Sequence, residues 1–293
     1  MSKCLITKLS GSVNNSSLLK IGEIRAFKKT GSKISPYSYI TFRQSASFES
    51  LGSGLYRTDS FTEKYGQKYQ LNDNEGLTFY IKPGEGISIT DKYKLDRLDF
   101  IQCKADIDQF LYSKIKKLNL FDSDLDGNLE NLVREGYLTD INVSGATKLS
   151  CDLSLFKGKE NQYTSIVLNK IGRTDGNISI FNNFSKLSSL GVSKGATGDV
   201  SLLSNSVLVF MSSSDSNFTW STERTGTKIM AISGFPNFGL DLDKVLLNLS
   251  KLDANTSGGA SKEISVKGTR TSASSAAITT LQQKGYTVSV TPA

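Results

Sequence analysis

From residue 95 onward, pairs of apolar residues separated by a single residue recur at regular intervals. The first pair is Leu98 with Phe100, and the second is Leu118 with Leu120. Alternation over so short a run predicts a strand with one buried face. The other three pairs are Ile141/Val143, Ile166/Leu168 and Leu190/Val192. The pattern therefore predicts a series of short strands in similar environments.

A second pattern follows each pair by about ten residues. It consists of a small residue, an Asp or Asn, an aliphatic residue and then Ser or an acid. The Asp and Asn side chains are predicted to turn inward and accept hydrogen bonds from backbone N–H groups of the loop. Successive positions are 22, 24, 25 and 22 residues apart. They are Asp106, Asn128, Asp152, Asn177 and Asp199.

Two patterns in fixed phase over five repeats are typical of a solenoid whose coils each contribute one strand. Segments such as Lys228–Ile232 and Leu249–Leu252 continue the phase more loosely. The runs KLNLFDSDLDGNLENL and SLGVSKGATGDVSLL resemble the BspA-like leucine-rich repeats of Bacteroidetes and their phages. The resemblance covers roughly residues 95–293 and implies a leucine-rich-repeat solenoid there. It is specific for architecture and says little about function.

Residues 1–94 contain six or seven short runs of β-forming residues, separated by turn signals such as Pro83-Gly84. They predict a β-sandwich-like module. The pieces MSKCLITKLSGSVNNSSLLKIGEI and LTFYIKPGEGISIT are similar to the opening domain of uncharacterised Bacteroidetes and phage proteins that carry such repeats. The candidate strands are Cys4–Lys8, Leu18–Phe27, Tyr37–Arg43, Gly54–Phe61, Gln67–Leu71, Leu77–Ile81 and Gly86–Thr90.

The balance of positive and negative residues also changes near residue 94. Residues 1–94 hold 14 Lys and Arg against 8 Asp and Glu, whereas residues 95–293 hold 21 against 20. The asymmetry favours two parts with different roles, a basic docking module at 1–94 and the solenoid at 95–293. A basic patch could face nucleic acid or an acidic protein. A mildly basic, solvated β domain is the simpler interpretation.

The last segment, about 262–293, predicts a strand, a helix and a strand. Ala277, Ile278 and Leu281 form an apolar stripe, Ser272 or Ser274 can cap the helix, and Gly285 suits a left-handed C-cap. A solenoid needs a terminal unit to cover its last open core. We therefore expect a mainly β protein with an N-terminal β-sandwich-like module, a leucine-rich-repeat solenoid and a C-terminal β-α-β cap.

Candidate chemistry is sparse. The chain has no histidine, which removes the commonest general base and the commonest zinc ligand. Its three cysteines are far apart, and no phosphate-binding loop, dinucleotide fingerprint or zinc spacing occurs. We expect no enzyme activity and no cofactor.

The run Asp122-x-Asp124-x-Asp126-Gly127 matches the first half of an EF-hand calcium loop. The twelfth position should be a bidentate carboxylate, but it is Val133. The repeat phase already accounts for Gly127, so the three aspartates are weak metal candidates and a repeat turn is the favoured interpretation.

Polar residues between the buried strand positions are the candidate binding surface. They are expected to face the concave side of the solenoid and to accept another protein or a glycan. An aromatic group could anchor a partner if exposed, or fill an irregular core if buried; it comprises Phe210, Phe218, Trp220, Phe235 and Phe238. The candidate binding residues are Asn119, Asp140, Asn142, Ser165, Ser189 and Trp220.

The residues and the resemblance together favour a non-enzymatic virion structural protein of a Bacteroidetes phage, of the crAss-like kind. It would be a capsid decoration, head fibre or tail appendage, made in the host cytoplasm without a signal peptide. Residues 1–94 are expected to contact other virion proteins, and the solenoid a host protein or glycan. We expect a homo-oligomer, no nucleic acid and no membrane insertion. The alternatives are a glycan-degrading tail protein and a bacterial leucine-rich-repeat surface adhesin.

Overall fold

The computed structural model describes most of the chain from Ile24 onward. The described residues are 24–30, 38–42, 46–51, 55–57, 68–71, 76–81, 83–89, 91–134, 136–203, 210–213, 216–224, 228–256 and 261–293.

The first seven described strands precede residue 90. They fall close to the predicted ones, except that the predicted Cys4–Lys8 lies outside the described residues and the strand at 46–51 was not predicted. They are β1 (Ile24–Lys28), β2 (Ser38–Phe42), β3 (Ala46–Leu51), β4 (Leu55–Arg57), β5 (Lys68–Leu71), β6 (Gly76–Ile81) and β7 (Gly86–Ile89).

Later strands alternate with helical segments. The strands are β8 (Leu95–Asp99), β9 (Cys103–Asp106), β10 (Lys117–Asn119), β11 (Asp124–Asp126), β12 (Asp140–Asn142), β13 (Ser150–Asp152), β14 (Ser165–Val167), β15 (Arg173–Asn177), β16 (Ser189–Val192), β17 (Ala196–Thr197), β18 (Phe210–Ser213), β19 (Ala231–Ser233), β20 (Glu263–Lys267) and β21 (Thr287–Thr291). The α-helices are α1 (Leu129–Arg134), α2 (Leu242–Lys251) and α3 (Ser275–Gln283). Short 3-10 segments are Lys92–Lys94, Ile107–Phe110, Leu153–Phe156, Ile178–Phe181, Val200–Leu202, Gly239–Asp241 and Ser272–Ser274.

A twelve-stranded sheet runs through the described part of the chain, in the order β21-β20-β19-β18-β16-β14-β12-β10-β8-β2-β6-β4. From β8 to β21 all neighbours are parallel, whereas β2, β6 and β4 add in antiparallel fashion at one end. A second sheet has the order β11-β9-β1-β7-β3-β5, and β13, β15 and β17 form a third.

The predicted fold class is wrong. Parallel neighbours require crossover connections, and most of these crossovers contain helical segments, so the described part of the protein is α/β with several parallel sheets and no closed solenoid. The N-terminal strands that the structure describes do not form a separate sandwich, because β2 pairs with β8 and β1 pairs with β9 across the expected boundary at residue 94.

The predicted hydrogen bonds of the five Asp and Asn side chains are confirmed, but Asn128, Asp152 and Asn177 are exposed rather than turned inward. Each side-chain oxygen accepts a hydrogen bond of 2.8–3.0 Å from the N–H two residues later. Each thereby caps a short helical segment, since the first N–H groups of a helix have no partner within it. Asp199 accepts two further bonds, from Ser201 Oγ and from the Ser221 N–H.

The core beneath the parallel strands includes a row of aliphatic residues from neighbouring strands. Leu118 pairs in register with Leu98 on one side and Ile141 on the other, and all three are buried. Ile166, Leu190 and Ile232 continue the row along the sheet. Each such side chain contributes roughly 1.5–3 kcal/mol on burial.

The C-terminal part departs from the predicted phase at α2. Leu249–Leu252 was expected to continue the strands, but Leu249 lies in α2, whose buried stripe also includes Leu242, Val245 and Leu246. Beyond it, β20, α3 and β21 form a parallel strand–helix–strand unit that extends the long sheet rather than capping a solenoid. Gly285 has φ +85°, as a left-handed C-cap requires.

Corners after the strands use left-handed backbone. Gly145 has φ +84°, and a Cβ there would lie 2.9 Å from the Cα of Asp122 in the preceding corner. Gly158 has a similar φ of +79°, but a Cβ there would meet nothing within 4 Å.

We predict that Gly145→Ala destabilises the protein more than Gly158→Ala. Both substitutions place a Cβ on left-handed backbone, at a cost of roughly 1–2 kcal/mol, and only the first adds a clash with backbone. Urea unfolding of the two variants and the parent protein measures the difference. Equal midpoints for the two variants would contradict the tight stacking of the corners.

Candidate functional site

The outward residues of the parallel strands form two aligned rows on one face of the long sheet. They align because the strands pair without a register shift from β8 to β16, and side chains alternate between the two faces of a strand. The first row is Arg97, Lys117, Asp140, Ser165 and Ser189. The second row is Asp99, Asn119, Asn142, Val167 and Gly191. We call this surface the polar face.

The polar face contains a shallow groove of about 240 Å³ over β8, β10, β12 and β14. Its lining includes Arg97, Lys117, Asn119, Asp140, Asn142 and Ser165. The aliphatic row lies directly beneath, so the floor is held by the packed core. A groove of this kind can accept a polar chain from solvent without rearrangement of the sheet.

Charges in the groove occur as neighbouring opposite pairs. Arg97 donates to Asp99 Oδ2 from Nη2 at 2.6 Å and from Nε at 3.1 Å. Lys117 Nζ lies 3.7 Å from Asp140 Oδ2, which is a looser pair. Asp140 also accepts hydrogen bonds from Thr139 Oγ1 at 2.7 Å and Thr164 Oγ1 at 2.9 Å. Half-exposed pairs add little stability, so the groove offers both donors and acceptors to a ligand at small cost.

The two asparagines of the groove differ in their surroundings. Asn142 Oδ1 accepts a hydrogen bond from the Ser144 N–H at 3.1 Å. Asn119 Oδ1 is enclosed and has no hydrogen-bond donor among the described residues. Because an unsatisfied enclosed acceptor is unfavourable, a rotation of Asn119 toward a ligand donor would remove that cost.

Five of the six predicted binding residues lie together on the polar face. They are Asn119, Asp140, Asn142, Ser165 and Ser189. The sixth, Trp220, is 1% exposed and packs edge-on against Phe238 with ring centroids 6.2 Å apart. The core interpretation of the aromatic group therefore applies to Trp220, Phe218 and Phe238, while the side chain of Phe210 lies outside the described part.

Sequence reasoning missed Arg97 and Asp99, which carry the tightest ion pair of the groove. The signal was present, because these two residues flank Leu98 in the first repeat, just as Lys117 and Asn119 flank Leu118.

The acidic run does not converge on a point. Asp124 and Asp126 both pair with Lys148, whose Nζ lies 3.2 Å from one carboxylate and 3.1 Å from the other. Asp122 Oδ2 instead accepts a hydrogen bond from Gln102 Nε2 at 3.1 Å. An ammonium group thus takes the place that a cation would take, and no group of three metal-ligating side chains occurs within the described residues.

The two cysteines in the described part are poor nucleophiles. Burial raises the pKa of Cys103 to about 11 and that of Cys151 to about 12. Since the thiolate is the reactive form, neither thiol is suited to catalysis near neutral pH.

The longest helix in this part of the chain has ten residues, and none of the helices described has the length and apolarity needed to cross a membrane. Comparisons with family models, with curated proteins and with solved structures found no match to this chain.

Trp220 is the only tryptophan in the chain, so its fluorescence reports on this core directly. We predict emission typical of an apolar environment and little quenching by iodide until the protein unfolds, because the ring is enclosed. Quenching titrations in buffer and in denaturant measure this. Strong quenching of the folded protein would show an exposed ring and return Trp220 to the candidate binding residues.

Proposed function

We propose that this protein is a non-catalytic binding protein whose polar face holds another protein or a glycan. The observation that carries the proposal is the alignment of donors and acceptors in an open groove over a rigid parallel sheet. Groups placed on strands are held more precisely than groups on loops. Such a surface recognises a ligand with many hydrogen-bonding groups.

We further propose that the chain is a structural component of a virion, with residues 1–94 contacting other virion proteins. Support for this part comes from the similarity of MSKCLITKLSGSVNNSSLLKIGEI and LTFYIKPGEGISIT to the opening domain of phage and Bacteroidetes proteins. The basic balance of residues 1–94 is compatible with docking on an acidic partner.

Glycan hydrolysis is the second candidate, because two carboxylates, Asp99 and Asp140, lie in the groove. A glycosidase needs one carboxylic acid that carries a proton and one free carboxylate. Both carboxylates here accept hydrogen bonds from cationic or hydroxyl donors. These contacts already engage Asp99 Oδ2 and both carboxylate oxygens of Asp140, which favours binding over hydrolysis.

To test the binding surface, Ser165→Arg is compared with Ser150→Arg. Ser165 lines the groove, whereas Ser150 is exposed on β13 in another sheet. We expect the first variant to bind intact host cells at least about tenfold more weakly than the parent protein, because the new side chain fills the groove, and the second to bind normally. Equal binding by all three proteins would contradict a role for the polar face. Release of reducing sugar ends by the parent protein would establish the hydrolase instead.

Location in a virion is tested separately by immunogold electron microscopy with antibody to this chain. We expect label at a defined position on purified particles. Label confined to the envelopes of uninfected cells would favour the surface adhesin, and label on neither would reject the virion proposal.

A further inference from the structure

Three exposed tyrosines lie where the chain enters adjacent strands of the polar face. Tyr93 precedes β8, Tyr112 precedes β10 and Tyr137 precedes β12, and they are 46%, 60% and 43% exposed. Few of the large apolar or aromatic side chains in the described part are this exposed. Since β8, β10 and β12 are neighbours, the three rings belong to one edge of the sheet.

Lysines separate the tyrosines along this edge. Lys114 Nζ lies 5.8 Å from the centre of the Tyr137 ring. This contact connects the loop before β10 to the loop before β12. Lys92 Nζ lies 5.9 Å from the centre of the Tyr93 ring and donates a hydrogen bond to the Gln109 carbonyl at 3.0 Å. The hydrogen bond connects the segment before β8 to the segment before Tyr112. We call Tyr93, Lys94, Tyr112, Lys114 and Tyr137 the Tyr–Lys strip.

The Tyr–Lys strip borders the groove. Lys94, Lys114 and Tyr137 each lie three residues before the paired positions Arg97, Lys117 and Asp140. Three residues of chain span at most about 10 Å. Adjacent strands lie about 4.8 Å apart, so the strip and the first row of the groove run side by side across the strands.

Local charge on this edge is positive. Residues 91–99, 112–119 and 137–142 together hold six Lys or Arg against four Asp. Four of the six cations pair with these aspartates, whereas Lys92 and Lys114 contact tyrosine rings. A ligand that covers both the strip and the groove therefore contacts Lys114 and the tyrosine rings beside these paired charges.

The backbone at the centre of the strip adopts an uncommon conformation. Tyr112 has φ +65° and Lys114 has φ +59°, although neither is glycine. Left-handed backbone is unfavourable for bulky residues, and here it holds a ring that is 60% exposed. A ring this exposed contributes little to the core. A binding role at the surface therefore explains the unfavourable backbone conformation of Tyr112 better than packing does.

We propose that the Tyr–Lys strip and the adjacent groove together bind an acidic polysaccharide, with sugar rings on the tyrosines, carboxylates on the lysines and hydroxyl groups in the groove. This inference rests on the proposed function and names its ligand class. Asp99 and Asp140 in the groove disfavour single-stranded nucleic acid, which carries a negative charge at every nucleotide. Asparagine and aspartate side chains suit the many hydroxyls and sparser charges of a uronate chain.

The test uses the full chain with oligosaccharides of hyaluronan, alginate and polygalacturonate as probes. A neutral chitin hexamer, oligo(dT) and a polyglutamate peptide are the comparison ligands. We expect at least one uronate probe to bind, with an affinity that falls as salt is raised, and the comparison ligands to bind at least about tenfold more weakly. Tighter binding of oligo(dT) or polyglutamate, or no binding of any uronate probe, would overturn the proposal.

Variants assign the binding to the strip. Tyr137→Ala and Lys114→Gln should each weaken uronate binding about tenfold. Matched controls are Phe121→Ala, a 47% exposed ring just beyond the other end of β10, and Lys104→Gln on β9, which should bind normally. Tyr112→Gly should weaken binding without lowering the thermal midpoint, because glycine suits left-handed backbone. A variant that merely damaged the fold would lower both.

The two proposals fail in different ways. If Ser165→Arg abolishes binding of a uronate probe but Tyr137→Ala and Lys114→Gln leave it unchanged, the polar face binds and the strip does not take part. If none of these variants changes uronate binding, the ligand lies elsewhere and both proposals fall.

Discussion

The in-register parallel pairing from β8 to β21 is the constraint on which the rest of the molecule depends. In β10 and β12 the central aliphatic residue, Leu118 or Ile141, points inward and packs in the core. A slip of one residue would exchange the two faces of a strand, placing Lys117 and Asn119 in the core. Burial of the aliphatic row therefore fixes the order of charges and amides on the polar face as firmly as it fixes the sheet.

Short crossovers impose a second constraint. From β8 to β19, each returns the chain to the next strand within about 25 residues, so it turns sharply and leaves backbone groups that the sheet cannot satisfy. Asp and Asn side chains satisfy some of these groups at the starts of helical segments. Left-handed corners such as Gln102 and Asp122 supply the turns. Neither the capping side chains nor the left-handed corners bury much apolar surface. The loops that contain them can therefore expose polar and aromatic side chains.

The sequence predicted the features that depend on local pattern. Strand centres and capping side chains recur in phase, and both were located from spacing alone. The fold class was not predicted, because several crossover helices are only three or four residues long and show no helical period. A helical period is present in α2, whose buried residues include Leu242, Val245, Leu246 and Leu249. Leu249 also fitted the spacing of the strands and was assigned to a strand. The Tyr–Lys strip escaped notice because loops carry no period, and only the parallel pairing brings its rings to one edge.

The two ion pairs of the groove differ in a way that bears on binding. The Arg97 guanidinium holds Asp99 through two nitrogens, whereas Lys117 Nζ stands 3.7 Å from Asp140, which two threonine hydroxyls also hold. Removal of Lys117 from Asp140 would therefore leave that carboxylate hydrogen-bonded, while removal of Arg97 from Asp99 would cost both contacts. A carboxylate of the ligand can therefore pair with Lys117 at the cost of only the loose Lys117–Asp140 pair. Arg97 is better suited to hold the shape of the groove, and Lys117, three residues from Lys114, to connect it to the Tyr–Lys strip.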